Sequence, residues 1–183
     1  PESYGATTPA DEVEKQPTII YVMDESYWDV SELEEHGFVF DTDVSANLHA
    51  LQQTSASGRA YSPSFGGGTC DVEFEALTGY SVSYLPNGSK PYQQHVTKPM
   101  FALPNYLKTQ GYQTAAIHCF WAKYWSRDTA YPNLGFDDFI SLEDMHHVQK
   151  VRKHYWTSGL VTDDTMADQI IQQYETMKAD SDA

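Results

Sequence analysis

Gly66-Gly67-Gly68-Thr69-Cys70-Asp71-Val72-Glu73-Phe74-Glu75-Ala76-Leu77-Thr78-Gly79 is the stretch that decides how this chain is read. Glycine has no Cβ, so the run permits positive φ and lets the backbone come close to a ligand. Thr69 then sits as N-cap of a helix over residues 70–78. Amide groups at a helix N-terminus favour phosphate or sulfate, and a hydroxyl there lies against the same anion. The pattern is not a Walker loop, because Gly68 rather than Lys precedes Thr69, and it is not a Gly-x-Ser-x-Gly nucleophile elbow. Alone it is a capped helix after a flexible turn. Its chemistry depends on its partners.

Working outward, residues 18–23 form a continuous apolar, β-branched run, the pattern of a central parallel strand covered on both faces. It ends in Asp24-Glu25-Ser26, at the strand edge where open α/β sheets place their ligands. Residues 41–57 carry Val44, Leu48 and Leu51 at helical spacing, which predicts a core-facing helix. Residues 80–98, rich in Ser, Pro, Asn, Gly and Tyr, read as a long irregular loop walling the site. Residues 101–108 form an amphipathic helix with Pro104 in its first turn, and residues 114–117 a second buried strand ending in His118. A last helix over residues 163–178, capped by Thr162, sets Met166, Ile170, Tyr174 and Met177 on one face that calls for a sheet. Alternating strands and helices predict a mainly parallel sheet in the α/β class.

The 183 residues are 40% hydrophobic, enough for one globular domain over residues 17–183, with residues 1–16 a linker. No run of eighteen apolar residues and no signal peptide is present. A formal charge of -15 with eleven Lys and Arg speaks against a nucleic-acid binder, and an anionic substrate needs a local cation. Cys70 and Cys119 are packing residues, with a bridge near the pocket as the alternative.

Carboxylates after one strand, a hydroxyl at a helix N-terminus, and His118 followed by Trp125 and Arg127 together suggest phosphoryl chemistry. A carboxylate and a threonine alkoxide are hard oxygen ligands for Mg²⁺ or Mn²⁺, and Arg127 can fork two phosphate oxygens.

With these residues in place, the chain resembles the lipoteichoic acid synthase and phosphoglycerol transferase family of the alkaline phosphatase and sulfatase superfamily. Residues 19–26 look like the family's first strand, whose glutamate is a metal ligand, and that role falls on Glu25, with Asp24 as the alternative. Gly68-Thr69-Cys70-Asp71-Val72-Glu73-Phe74 looks like its nucleophile segment, which makes Thr69 nucleophile and metal ligand. Residues 102–108 with Gly111-Tyr112 are similar to its Leu-Pro, Leu-Lys, Gly-Tyr block. His118, Trp125-Ser126-Arg127 and Tyr131 through Gly135-Phe136-Asp137 resemble its glycerol phosphate segment, so His118, Trp125 and Arg127 become substrate contacts. No Asp-His dipeptide occurs, although the family draws further metal ligands from one, so the chain reads as the N-terminal, inactive part of a catalytic domain.

The resemblance implies an incomplete three-layer α/β sandwich with a mainly parallel sheet. It also implies Mn²⁺- or Mg²⁺-dependent transfer of a glycerophosphate head group from phosphatidylglycerol. The acceptor would be a polyol-phosphate polymer or glycolipid, on the extracellular face of a bacterial membrane reached through an upstream segment. A phosphodiesterase, sulfatase or phosphoethanolamine transferase shares the scaffold, although sulfatases place a Cys or Ser where Thr69 stands. A non-catalytic binding segment is the reading from a different class.

Overall fold

The structure, a computed structural model, describes residues 16–24, 27–150 and 159–181. The chain divides into two compact units, Pro1–Ser55 and Ala56–Ala183.

In the first unit a 3-10 helix, Val30–His36, is capped by Asp29, whose carboxylate accepts from the Ser31 amide. Helix α1, Ala46–Thr54, follows, and His49 on it reaches back to Asp29 at 2.7 Å and to Asp43 at 2.9 Å. Two expectations fail here. Residues 18–23 form no strand, and Ile20, Tyr21 and Val22 are exposed. Nor does α1 face a core, since Val44 and Leu51 are exposed and none of its residues is buried. An apolar run of strand length becomes a strand only where a second strand pairs with it, and among the described residues none does.

The second unit holds the core. Helix α2, Thr69–Thr78, packs against α3, Pro91–Gln94, and α4, Leu103–Thr109. Strand β1, Ala115–Ile117, leads through a crossover carrying α5, Arg127–Leu134, to strand β2, Asp138–Ile140. The two strands pair in parallel with Ala116 opposite Phe139, so the α/β class with parallel pairing holds. Parallel strands need such a crossover, and α5 packs on β2. Cys70 and Phe74 of α2, Tyr92 of α3, Val96, Ala102, and Ala130, Tyr131 and Leu134 of α5 form the buried cluster.

The second half of the stretch read as a loop over residues 80–98 reaches the core. Pro91 sets φ for the first turn of α3, and Tyr92 and Val96, four residues apart, are both buried. One helical turn is too short to leave a periodic signal. Helix α6, Asp163–Ser181, starts after Thr162 as expected and is tied to residues 146–149 through polar groups: Thr165 accepts from the Gln149 amide, and the Gln169 amide nitrogen donates to the His146 carbonyl.

Candidate active site

Gly66, Gly67 and Gly68 all adopt positive φ, 72°, 125° and 89°. Gly68, not Thr69, is the N-cap of α2, so Thr69 moves one place inward to the first helical position. Its amide is one of the four donors that the helix cannot satisfy itself, and its hydroxyl stands beside them. Gly68 is required for space as well as for its dihedral angle. A Cβ there would lie 2.6 Å from Asp71 Oδ2, 2.8 Å from Ser64 Oγ and 2.9 Å from Lys90 Nζ.

Those three side chains form a polar cradle under the corner that the motif did not announce. Lys90 Nζ donates to Asp71 Oδ2 at 2.8 Å and lies 5.2 Å from the centre of the Trp125 ring. The bond to Asp71 raises the Lys90 pKa, so the ammonium stays charged. Lys90 thereby ties the first turn of α2 to the 3-10 turn Tyr124–Ser126, against which α3 also packs. Lys90 and Asp71 were absent from the expected site because an ion pair across nineteen positions leaves no local pattern.

Trp125 and Ser126 both adopt left-handed conformations, φ 57° and 60°, which cost non-glycine residues of order 1–3 kcal/mol each. The next side chain along, Arg127, holds the turn in place. Arg127 is 1% exposed, and its Nε lies 3.0 Å from Glu73 Oε2 while its Nη2 also grips Glu73. Nη1 donates to the Tyr124 carbonyl at 3.2 Å, and the Tyr131 hydroxyl donates to Glu73 Oε2 at 2.9 Å. Burial disfavours the charged guanidinium, but the bonds and charge of Glu73 outweigh it and raise the Arg127 pKa. The fork expected on a phosphate is therefore closed on Glu73. Arg127 is a positioning residue for the turn that carries Trp125.

The end of the expected glycerol phosphate segment, Gly135 and Asp137, also makes structural contacts. Gly135 ends α5 at φ 99°, and Asp137 latches Thr114, its Oδ2 accepting from the Thr114 amide and hydroxyl at 3.0 Å, while Lys108 pairs with its Oδ1 at 2.5 Å. Neither Cys70 nor Cys119 is in a disulfide. Burial and then the Asp71 charge push Cys70 up to about 12, so it is no nucleophile at neutral pH.

A sulfatase family model matches residues 17–182. The chain belongs to the sulfatase family. Among curated relatives, a Rhizobium meliloti (strain 1021) protein named for cyclic beta-1,2-glucan modification is 36% identical over 163 residues, 89% of this chain and 24% of that protein. Among solved structures, Streptococcus pyogenes phosphoglycerol transferase GacH in complex with sn-glycerol-1-phosphate matches with TM-score 0.58 and 26% identity, covering 72% of this chain and 34% of GacH. The lipoteichoic acid synthase LtaP of Listeria monocytogenes matches with TM-score 0.48 and 19% identity over 63% of this chain and 27% of its own. This chain thus spans about a quarter of the curated relative.

Within this sulfatase-family chain, Thr69, Trp125 and Arg127 are gathered around the N-terminal half of α2, Trp125 through Lys90 and Arg127 through Glu73. His118 stands apart, just past β1. Its backbone amide extends the ladder to the Ile140 carbonyl at 2.9 Å, and its Nδ1 accepts from the Phe120 amide at 3.2 Å. Phe120 in turn packs edge-on against Tyr124, so His118 and the Trp125 turn belong to one loop system. Glu25 lies outside the described residues. Family members usually use divalent metals. The Thr69 hydroxyl is a hard oxygen suited to one, but among the described residues no group of three His, Cys, Asp or Glu could hold an ion.

Proposed function

We propose that this chain is the N-terminal part of a phosphoglycerol transferase catalytic domain, and that Thr69 is its nucleophile. The observation that carries the reading is the placement of Thr69 at the first position of α2, behind three positive-φ glycines and next to Gly68, which the cradle of Ser64, Asp71 and Lys90 lies against. Helix-terminal amides stabilise the charge that builds on a phosphoryl group in the transition state. The likenesses to GacH and to the glucan modification protein support a glycerophosphate donor and a glycan acceptor.

In the proposed reaction Thr69 Oγ1 forms a bond to the phosphorus of phosphatidylglycerol as the bond from phosphorus to the diacylglycerol oxygen breaks. Diacylglycerol leaves with the proton, and a glycerophosphoryl-threonine remains. An acceptor hydroxyl then attacks phosphorus as the bond from phosphorus to Thr69 Oγ1 breaks, and the acceptor's proton passes to Oγ1, which restores the Thr69 hydroxyl. Trp125 packs the glycerol moiety, and His118 donates from Nε2 to phosphate oxygen. A divalent cation, Mn²⁺ or Mg²⁺, held by Glu25, Thr69 and ligands beyond the described residues, would act as a Lewis acid that lowers the hydroxyl's pKa. The setting is the outer face of a bacterial membrane, with anionic glycerophospholipid as the donor. No helix among the described residues is long and apolar enough to cross a membrane, so the tether would lie elsewhere in the protein.

The test is diacylglycerol release from phosphatidylglycerol by the complete protein. Thr69→Ala is expected to abolish it, and intact-mass measurement of the wild type is expected to show a gain of one glycerophosphoryl group that the variant lacks. Wild-type turnover by folded Thr69→Ala removes the covalent path, and release of sulfate or phosphoethanolamine instead assigns a different member of the family's chemistry.

A further inference from the structure

A cavity of about 260 Å³ opens on the Asp71 flank of the nucleophile corner. It is walled by Asp71 and Lys90 on one side and by residues 82–89 on the other, with Ser83, Asn87 and Ser89 contributing polar groups. This wall is built rather than loose. Glu75 of α2 holds its start, its Oε1 accepting from the Val82 amide at 2.6 Å and from the Ser81 hydroxyl at 2.9 Å. At its end the Gln94 side chain of α3 accepts from the Lys90 amide at 2.8 Å. The Ser89 amide closes the turn on the Pro86 carbonyl at 3.0 Å, through Gly88 at φ 79°.

The charge of the cavity is what distinguishes it. Asp71 and Lys90 are its charged wall residues, and they neutralise one another at 2.8 Å. The remaining polar groups are hydroxyls and a carboxamide, which both donate and accept. An ion pair beside hydroxyls and an amide suits a neutral ligand dense in hydroxyl groups. A phosphate would have to break the pair or lie against Asp71. The volume is below the roughly 300 Å³ at which drug-sized pockets begin, which suits one small polyol unit or one sugar ring.

We propose that this cavity is the acceptor subsite, taking an uncharged carbohydrate or polyol whose hydroxyl receives the transferred group. The proposal rests on the transferase reading of Thr69 given above. Asp71 Oδ2 and Lys90 Nζ, whose side chains wall the cavity, lie 2.6 Å and 2.9 Å from where a Cβ of Gly68 would stand, so the cavity adjoins the residue that precedes Thr69. Lys90 joins this cavity to the Trp125 ring, which places the acceptor and the glycerol of the donor on opposite sides of one ammonium group.

The test uses a β-1,2-linked glucose oligosaccharide as the probe with the complete protein, and the exposed-site variants Asn87→Ala and Ser83→Trp. Both positions are on the surface, so both variants are expected to fold, and circular dichroism checks this. Titration calorimetry or saturation-transfer resonance is expected to show oligosaccharide binding by the wild type, weakened tenfold or more in each variant and not displaced by sn-glycerol-1-phosphate. In the transfer assay the variants are expected to raise the acceptor KM by a similar factor while water-dependent release of diacylglycerol is unchanged. Absence of oligosaccharide binding, binding unaffected by either variant, or displacement by glycerol phosphate overturns the acceptor subsite. A wild type that binds the oligosaccharide through Asn87 yet never releases diacylglycerol leaves the subsite standing and overturns the donor reading instead.

Discussion

Arg127 and Tyr92 show what a side chain's partners decide that its identity does not. The sequence order placed Arg127 in the right neighbourhood, but only packing shows that its fork is closed on Glu73, 54 positions away. Lysine keeps the charge and cannot fork a carboxylate while also reaching the Tyr124 carbonyl. Arg127→Lys is therefore expected to destabilise the fold by about 1–3 kcal/mol, the scale of lost charged hydrogen bonds, as well as to lower transfer through a displaced Trp125. Urea unfolding measures the first effect, and unchanged stability with impaired transfer would return Arg127 to the substrate. Two tyrosines beside the same glutamate should behave oppositely. The Tyr131 hydroxyl donates to Glu73 at 2.9 Å, whereas the buried Tyr92 hydroxyl approaches the same glutamate but makes no hydrogen bond of good geometry among the described residues. Tyr131→Phe should cost about 1–2 kcal/mol, and Tyr92→Phe should be neutral or stabilising, because removing an unsatisfied buried group removes its desolvation penalty. Equal losses in both would contradict the hydrogen-bond assignment.

At the level of elements, the helices and strands of the second unit were legible where their periodicity ran beyond two turns or where a cap marked an end. Helix α2 begins and stops at its glycines, and α4 carries Pro104 in its first turn as read. The short pieces were not legible. The turn Tyr124–Ser126 depends on left-handed residues with no glycine to signal them, and α3 has four residues. In the first unit the junction between the 3-10 helix and α1 is a charge cluster, with His49 between Asp43 and Asp29. Hydrogen bonds from Asp43 and Asp29 raise the His49 pKa, and bonds from Ser31 and His49 depress Asp29. The raised histidine favours folding fully below its unfolded pKa, near 6.5, and that contribution is lost as pH rises through the higher folded value. The depressed aspartates contribute above their ordinary range, near 4, and their share is lost as pH falls. Protection of the α1 amides from hydrogen exchange, corrected for intrinsic rates, is expected to peak between about pH 4 and pH 6.5 and to flatten in His49→Gln. A pH-independent wild type would show that the cluster does not hold the junction.

Across the whole chain, the class of fold was readable from alternation, while the extent of the sheet was not. Residues 18–23 have strand composition, but pairing is a property of the partner strand, and the parallel pair described is β1 with β2. The charge balance has a consequence at the same scale. The chain carries -15, and two cations, Lys90 and Arg127, are each committed to a carboxylate of α2. Its long-range field therefore repels an anionic bilayer, and local cations are already neutralised, so attraction to the donor must come from short-range groups. Lowering salt lengthens the Debye screening distance from about 8 Å at physiological strength to roughly 30 Å at 0.01 M, which strengthens that repulsion. Cosedimentation of this chain with phosphatidylglycerol vesicles is accordingly expected to be weak at about 0.01 M salt and no weaker at physiological strength, the opposite of a basic peripheral protein. Binding that grows as salt is removed would mean that a cationic surface outside the described residues governs the encounter, and the donor would then be captured by charge rather than by the groups around Thr69.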